Sequence, residues 1–329
     1  MKKIIKIITI ITIFCTFLNI KVYANENEFV YLSGDSIGIK METGIYVAGK
    51  YQVNTENGKM SPWKNSNIEV GDKILKINNY SVDTNEDLLK YLSHENSNVN
   101  LTIERNNTVF NTSIDVIKNT NNEYSIGLYI RDKILGIGTM TFVTDDNYFA
   151  SLGHGIYDNN VLLNSLNGTI YYSSVSSIKK AEPGVAGEKR ASIENISIGK
   201  ILSNDITGLY GKLNNMNNYK KIYVGNQYMT KTGKAQIYTS IDKNNIKAYD
   251  IEICECFVQK NTSIKGLKVK IVDEELISKT GGIVQGMSGS PIVQNGYIVG
   301  AISHVTLDNP LYGYAMHIDW MIDEINDIK

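Results

Sequence analysis

Short strand-like segments fill the chain from residue 123 to the C-terminus, and glycine, asparagine and aspartate separate them. Closely spaced runs of this kind, divided by turn residues, are typical of a β-barrel or a β-sandwich. Only the tail, Trp320–Ile328, has isoleucines three positions apart, as a helix would. The sequence therefore predicts a mainly β domain over residues 123–329.

A smaller block precedes this domain, over residues 31–117. Apolar residues tend to alternate along its short runs, from 37–41 to 99–104, which predicts half-buried strands. The segment 84–93 instead has leucines at helical spacing. We therefore predict a small α+β domain, joined to the second block by a polar linker at 118–122.

The first 24 residues have the pattern of a targeting segment. Lysines at the start precede an apolar run over residues 7–20, and Val22 and Ala24 occupy the small-residue positions of a cleavage site. The run is short for a membrane span, which needs roughly 20 apolar residues. Segment 1–24 is therefore predicted to be a secretory signal peptide, with an uncleaved membrane anchor as the alternative.

The charge balance argues against nucleic acid as a partner. The chain has 33 Lys+Arg against 34 Asp+Glu, a net charge of −1, whereas nucleic-acid-binding proteins usually have a basic excess or stripe. The four histidines and three cysteines do not provide two pairs at the spacing of zinc ligands. We expect neither a metal nor an organic cofactor.

The stretch Gly286-Met287-Ser288-Gly289-Ser290-Pro291 is the strongest candidate for chemistry. A serine flanked by glycines can lie on a tight turn with its hydroxyl exposed, because glycine adopts backbone conformations that other residues resist. The backbone N–H groups of Gly286 and Ser288 are then candidates for an oxyanion hole.

A serine hydroxyl needs a base to become a nucleophile. His154 is the candidate, because it too lies between glycines, Gly153 and Gly155, at the end of a strand-like run. We expect His304 and His317 to be structural or to line the substrate site.

The serine turn resembles the G-x-S-G-x-P nucleophile turn of chymotrypsin-like serine peptidases. In that superfamily the nucleophile is the serine before the second glycine, which corresponds to Ser288 and not to Ser290. The order of the chain, with His154 well before the serine, agrees. The resemblance implies a chymotrypsin-like double β-barrel over residues 123–329.

The stretch Val70–Asn78 resembles the V-G-D-x-I-x-x-I-N pattern of bacterial PDZ domains. The resemblance implies that Ser36, Ile37, Gly38 and Ile39 form the carboxylate-binding loop and the start of the strand to which a ligand adds. A PDZ domain pairs an extended peptide with a sheet edge. We therefore expect a C-terminal or internal peptide as a partner there, with a small domain that binds no ligand as the alternative.

Five stretches resemble the SpoIVB family of sporulation serine peptidases: Gly136–Phe142, Leu152–Asp158, Pro183–Lys189, Thr280–Ile292 and Tyr312–Met321. The family joins an N-terminal membrane-crossing segment, a PDZ domain and a peptidase domain, and this chain has the same order. The resemblance implies an exported serine endopeptidase between the two forespore membranes. It would cleave a membrane-associated protein partner, and itself, in a sporulation signalling pathway.

The acid that would orient His154 is left open between two aspartates. The family pattern points to Asp273, although this residue lies closer to Ser288 than is usual in the superfamily. Asp205 is the rival, because its surroundings resemble the acid segment of the chymotrypsin branch, whereas Asp158 can cap a turn. Asp273 is the preferred prediction.

A catalytically inactive PDZ and peptidase-like binding scaffold is the alternative function. The reaction of Ser288 with a serine-directed fluorophosphonate probe would separate the two.

Overall fold

The computed structural model describes residues 28–93, 97–158, 161–163 and 168–329, so the predicted targeting segment 1–24 lies outside the described residues. Within these ranges the strands are, in chain order, β1 (Phe29–Leu32), β2 (Ser36–Lys50), β3 (Val53–Thr55), β4 (Gly58–Met60), β5 (Lys73–Ile77), β6 (Tyr80–Ser81), β7 (Asn98–Arg105), β8 (Thr108–Asp115), β9 (Ile117–Lys118), β10 (Tyr124–Ser125), β11 (Leu128–Val143), β12 (Tyr148–Ser151), β13 (Tyr157–Asp158), β14 (Val161–Leu162), β15 (Gly168–Lys179), β16 (Glu188–Asp205), β17 (Gly208–Leu213), β18 (Lys220–Val224), β19 (Gly233–Ser240), β20 (Ile246–Cys256), β21 (Leu267–Ile271), β22 (Pro291–Gln294), β23 (Tyr297–Val305) and β24 (Tyr312–His317).

The helices are α1 (Asn85–Leu92), α2 (Glu274–Thr280) and α3 (Ile318–Ile328), with a short 3₁₀ helix at Pro62–Asn65. Helix α1 begins with a capping box between Thr84 and the residue at its third position. Helices α1 and α3 confirm the two helical segments predicted from the sequence. None of the helices in the described ranges has the length and apolar character that a membrane crossing requires.

Six antiparallel strands close into a first barrel, in the order β2, β11, β12, β17, β16, β15 and back to β2. Side chains that alternate inward from these strands fill its core, among them Ile37, Met140, Phe149 and Leu209. The strands are long and curved, and register shifts interrupt several of their pairings, as closure into a barrel requires.

A second antiparallel barrel follows in the chain, in the order β19, β20, β21, β24, β23, β22 and back to β19. Its core includes Ile237, Ile251, Val269 and Ile292. The two closed rings confirm the prediction of a mainly β double barrel. The predicted bounds 123–329 do not hold for the first barrel, because β2 (Ser36–Lys50) closes it.

Strand β1 and helix α3 join the two barrels. Strand β1 pairs with β11 and β18, and β18 in turn pairs in parallel with β23 of the second barrel. Met321 and Ile325 of α3 pack in a shared core with Phe142 and Ile298. The barrels are therefore held against each other.

The α+β block has its own core, which includes Ile45, Ile74, Leu88 and Leu101 and is completed by Leu128. The chain passes between this block and the first barrel inside single strands, because β2 and β11 contribute to both cores. The predicted linker at 118–122 is instead the turn of the hairpin between β9 and β10.

Candidate active site

The turn that carries Ser288 is clamped between the two barrels. Ser288 O accepts a hydrogen bond from Thr139 N of the first barrel (3.0 Å), and Gly289 N donates to Ile302 O of the second (2.7 Å). Gly286 and Gly289 both have φ of +90°. A Cβ atom on Gly289 would lie 2.1 Å from Thr139 O, so only glycine permits this approach.

The loop that carries His154 follows β12 and turns sharply. Leu152 and Gly153 have φ of +73° and +65°, and a Cβ atom on Gly153 would lie 2.7 Å from Ile302 O. His154 Nδ1 lies 2.8 Å from Gly155 O. Because a carbonyl oxygen can only accept, Nδ1 carries the hydrogen and Nε2 has a free lone pair. Burial lowers the pKa of His154, which favours this neutral form.

Thr139 brings the two loops together. Its carbonyl accepts from Leu152 N (3.2 Å), two residues before His154, and its N–H donates to Ser288 O. The Ser288 hydroxyl donates to Ser303 O (3.3 Å), and among the described hydrogen bonds none joins it to His154. Catalytic hydrogen bonds are often long or poorly aligned in unliganded enzymes.

The two amides predicted to form an oxyanion hole have no acceptor among the described residues. Gln285 O and Gly286 O accept hydrogen bonds from Lys189 N (2.8 Å) and Thr139 Oγ1 (2.7 Å). In the described part of the chain, no hydrogen bond uses the N–H of Gly286 or of Ser288. Unpaired amides beside a nucleophile are suited to bind a developing negative charge.

The structure does not bring Asp273 together with His154. Asp273 is the N-cap of α2, where its carboxylate accepts from Leu276 N (2.9 Å) and Asp250 N (3.3 Å). Helix capping fully explains this aspartate locally. Its role as the acid of a triad stays a prediction.

The other two aspartates are also engaged elsewhere. Asp205 accepts from the N–H (3.0 Å) and the hydroxyl (2.8 Å) of Thr207, and Asp158 forms an ion pair with Arg131 (2.7 Å). No described hydrogen bond or ion pair links a carboxylate to His154, whose Nδ1–H binds its neighbour's carbonyl instead.

The other two described histidines, His304 and His317, lie in different surroundings. His304 faces His154, with 5.5 Å between the ring centroids, and burial, with the nearby His154, lowers the pKa of His304 to about 4. His317 is fully buried at the start of α3, and its Nε2 contacts Phe257 O. We find no group of metal-ligating side chains in the residues that the structure describes.

The peptide-binding site predicted at Ser36, Ile37, Gly38 and Ile39 is wrong. These residues lie in the first barrel, where Gly38 pairs with Ile137 on one side and with a residue of β15 on the other. All four are buried. Because both edges of the strand are occupied, a peptide cannot add to it.

A different groove lies in the α+β block. A cavity of about 590 Å³ separates α1 from the segment Tyr124–Ile130, and Leu88, Leu89 and Leu92 of the helix line it. The start of β11 pairs with β2 on one edge, and in the described ranges no strand pairs with its other edge there. A free strand edge beside an apolar helix face is the arrangement that binds extended peptides.

Sequence reasoning missed three residues of the active site: Thr139, Lys189 and Ser303. Thr139 and Lys189 lie in stretches that resemble the SpoIVB family. However, Thr139 binds Gly286, 147 positions away in the chain, and Lys189 binds Thr139, 50 positions away. No local pattern could have shown these contacts.

A family model described as SpoIVB peptidase S55 matches residues 122–322, and a PDZ domain model matches residues 36–116. A comparison with curated proteins finds no match.

Several solved structures resemble parts of the chain at low identity. The Rv3671c protease of M. tuberculosis in its active form is 15% identical, covers 59% of this chain and 74% of its own, and has a TM-score of 0.34. The HtrA-type protease AlgW with a decapeptide is 11% identical, with coverages of 60% and 53% and a TM-score of 0.36. The PDZ domain of the SdrC-like protein from Listeria monocytogenes is 14% identical, with coverages of 27% and 87% and a TM-score of 0.22.

Proposed function

The chain belongs to the SpoIVB peptidase S55 family, and we propose that this serine peptidase is an endopeptidase in which Ser288 attacks the scissile carbonyl. One observation carries the proposal. The glycine-flanked Ser288 and His154 lie on loops joined through Thr139, and the amides of Gly286 and Ser288 have no described acceptor.

The geometry supports a sequence of proton transfers. The Nδ1–H bond to Gly155 O leaves Nε2 of His154 to take the hydroxyl proton of Ser288. The alkoxide adds to the carbonyl, and the amides of Gly286 and Ser288 hold the resulting oxyanion. His154 then returns its proton to the leaving amine, and water releases the acyl-enzyme. Asp273 remains the predicted third member of the triad.

The proposed substrate is a membrane-associated protein, and the chain also cleaves itself. The proposed setting is a sporulation signalling pathway in the space between the two forespore membranes, reached by export. The family name and the order of PDZ and peptidase domains support this setting. The groove between α1 and Tyr124–Ile130 would hold a C-terminal or internal peptide of the partner.

The test is labelling of the purified protein with a fluorophosphonate probe, together with hydrolysis of a peptide substrate. We expect Ser288→Ala to abolish both reactions. Ser290→Ala is the matched control, because Ser290 lies in the same turn but is fully buried, and it should retain both. If folded Ser288→Ala and Ser290→Ala lose labelling and hydrolysis to the same extent, Ser288 is not the nucleophile.

A catalytically inactive scaffold is the second candidate function. It is favoured by the Ser288 hydroxyl, which donates to Ser303 O, and by the lack of a described carboxylate partner for His154. A folded wild-type protein that neither reacts with the probe nor cleaves peptides would support the scaffold.

A further inference from the structure

Lys189 has a buried amine without an anionic partner in the described ion pairs. The residue is 4% exposed, and its Nζ donates to Thr239 Oγ1 (2.8 Å) and Thr139 Oγ1 (3.2 Å). Burial lowers the pKa of Lys189 to about 7. Burying an amine in this way is costly, so its position calls for an explanation beyond packing.

Lys189 contacts the oxyanion turn in three ways. Its backbone N–H donates to Gln285 O (2.8 Å). Its side chain donates to Thr139 Oγ1, whose own hydrogen goes to Gly286 O (2.7 Å). Its aliphatic stem covers Gly286, since a Cβ atom there would lie 3.1 Å from Lys189 Cβ.

These contacts fix the direction in which the amides point. In a trans peptide the carbonyl and the following N–H point to opposite sides. Because Gln285 O is directed at Lys189, the N–H of Gly286 points away from that strand. Because Gly286 O is directed at Thr139, the N–H of Met287 points the other way, where it donates to Val284 O (3.1 Å). A flip of the Gln285–Gly286 peptide would turn the carbonyl of Gln285, in place of the N–H of Gly286, towards the oxyanion.

We propose that Lys189 is a positioning residue of the peptidase. Its backbone N–H holds the Gln285–Gly286 peptide and its side chain, through Thr139, holds the Gly286–Met287 peptide, so that the amides of Gly286 and Ser288 stay free to bind an oxyanion. The inference rests on the proposed function. Both protonation states of the amine have enough N–H groups to serve Thr139 and Thr239, so the arrangement does not require the charged form.

The first test is Lys189→Met, which keeps the stem and removes the donors. We expect kcat to fall by about 10²-fold, the lower end of the loss on removing one oxyanion donor, with KM nearly unchanged. Binding of a peptide aldehyde, which forms an oxyanion on Ser288, should weaken by a similar factor. Binding of the matching peptide alcohol, which forms none, should stay the same. An unchanged ratio of aldehyde to alcohol affinity in the folded variant would overturn the proposal.

A second pair of variants covers the case in which Lys189→Met does not fold. Thr139→Val removes the hydroxyl that links Lys189 to Gly286, and Thr139→Ser keeps it. Thr239→Val is the control, because it removes the other acceptor of Lys189 and leaves the link intact. We expect only Thr139→Val to lower the ratio of aldehyde to alcohol affinity, and equal effects of Thr139→Val and Thr239→Val would contradict the proposal.

The wild-type protein separates the two levels of inference. If it reacts with neither the fluorophosphonate nor the aldehyde, the proposed function fails and the role of Lys189 fails with it. If the wild type reacts with both, and the variants have the same ratio of aldehyde to alcohol affinity as the wild type, only the role of Lys189 fails.

Discussion

His154 is an imidazole whose charged form is disfavoured by burial, so its pKa lies below the usual 6.5. As the proposed base, His154 is therefore available above that lowered pKa and is lost as the pH falls through it. We expect kcat/KM to have an acid limb with a midpoint below 6.5. His304→Gln should keep this limb, because His304, whose pKa is about 4, stays neutral over the same range. If the acid limb of kcat/KM is absent in His304→Gln, the titrating group is His304 and not His154.

Asp273 allows a test that separates a helix cap from a catalytic acid. Asparagine and aspartate are comparable N-caps, whereas alanine costs about 1 kcal/mol of stability. As the predicted acid of the triad, Asp273→Asn should keep the helix cap and the fold but lower kcat by about 10⁴-fold. Asp273→Ala should in addition lower the free energy of unfolding by about 1 kcal/mol. A folded Asp273→Asn that keeps most of the wild-type activity would show that Asp273 is a helix cap and not the acid of the triad.

The residues that the sequence could identify are those whose surroundings are local. Ser288 and His154 each lie between glycines, and the turns need those glycines whatever the rest of the chain does. Thr139 and Lys189 act through partners far away in the chain. Their types and neighbours are those of ordinary strand residues, so only the register of the barrels shows their contacts.

Strand β2 explains why the peptide-binding groove was misplaced. The sequence alternates in the same way along both halves of this 15-residue strand, and alternation shows that a strand is half-buried but not which sheet it joins. Ile37 packs in the first barrel and Ile45 in the PDZ core. The PDZ pattern itself was predictable because Val70–Asn78 is a local turn and strand.

The groove of the PDZ domain can be tested at Leu89, and Leu135 is a control leucine of similar exposure outside the groove. Leu89 lines the groove and is 50% exposed, whereas Leu135 is 60% exposed on β11 outside it. Leu89→Glu should slow the proposed self-processing by about tenfold, since a half-buried apolar contact is worth about 1.4 kcal/mol. Hydrolysis of a short peptide should not change in either variant, and Leu135→Glu should leave self-processing intact.

The groove is not used if Leu89→Glu processes itself like the wild type. If short-peptide hydrolysis falls together with self-processing, α1 supports the active site directly.

At the scale of the whole molecule, β11 is a continuous connection between the groove and the active site. Its first residue, Leu128, lines the groove, and Thr139 near its other end binds the oxyanion turn. Between them Arg131 pairs at 2.7 Å with Asp158, which lies in β13 shortly after His154. One strand therefore contacts the peptide groove, the loop of the base and the turn of the nucleophile.

Covalent labelling of Ser288 should for this reason be detectable at the groove. A label whose oxygen occupies the amides of Gly286 and Ser288 should stabilise the contacts between Thr139 and the oxyanion turn. If β11 transmits this stabilisation to its free edge, hydrogen exchange near Leu128 should slow in the labelled protein. Arg131→Gln breaks the ion pair with Asp158 and should reduce the slowing. Lys133→Gln is the control, because it also removes a positive charge from β11. The Lys133 amine lies 3.9 Å from its carboxylate partner, Asp132, so this ion pair is weaker. Equal exchange at the groove before and after labelling would contradict a connection between the two sites through β11.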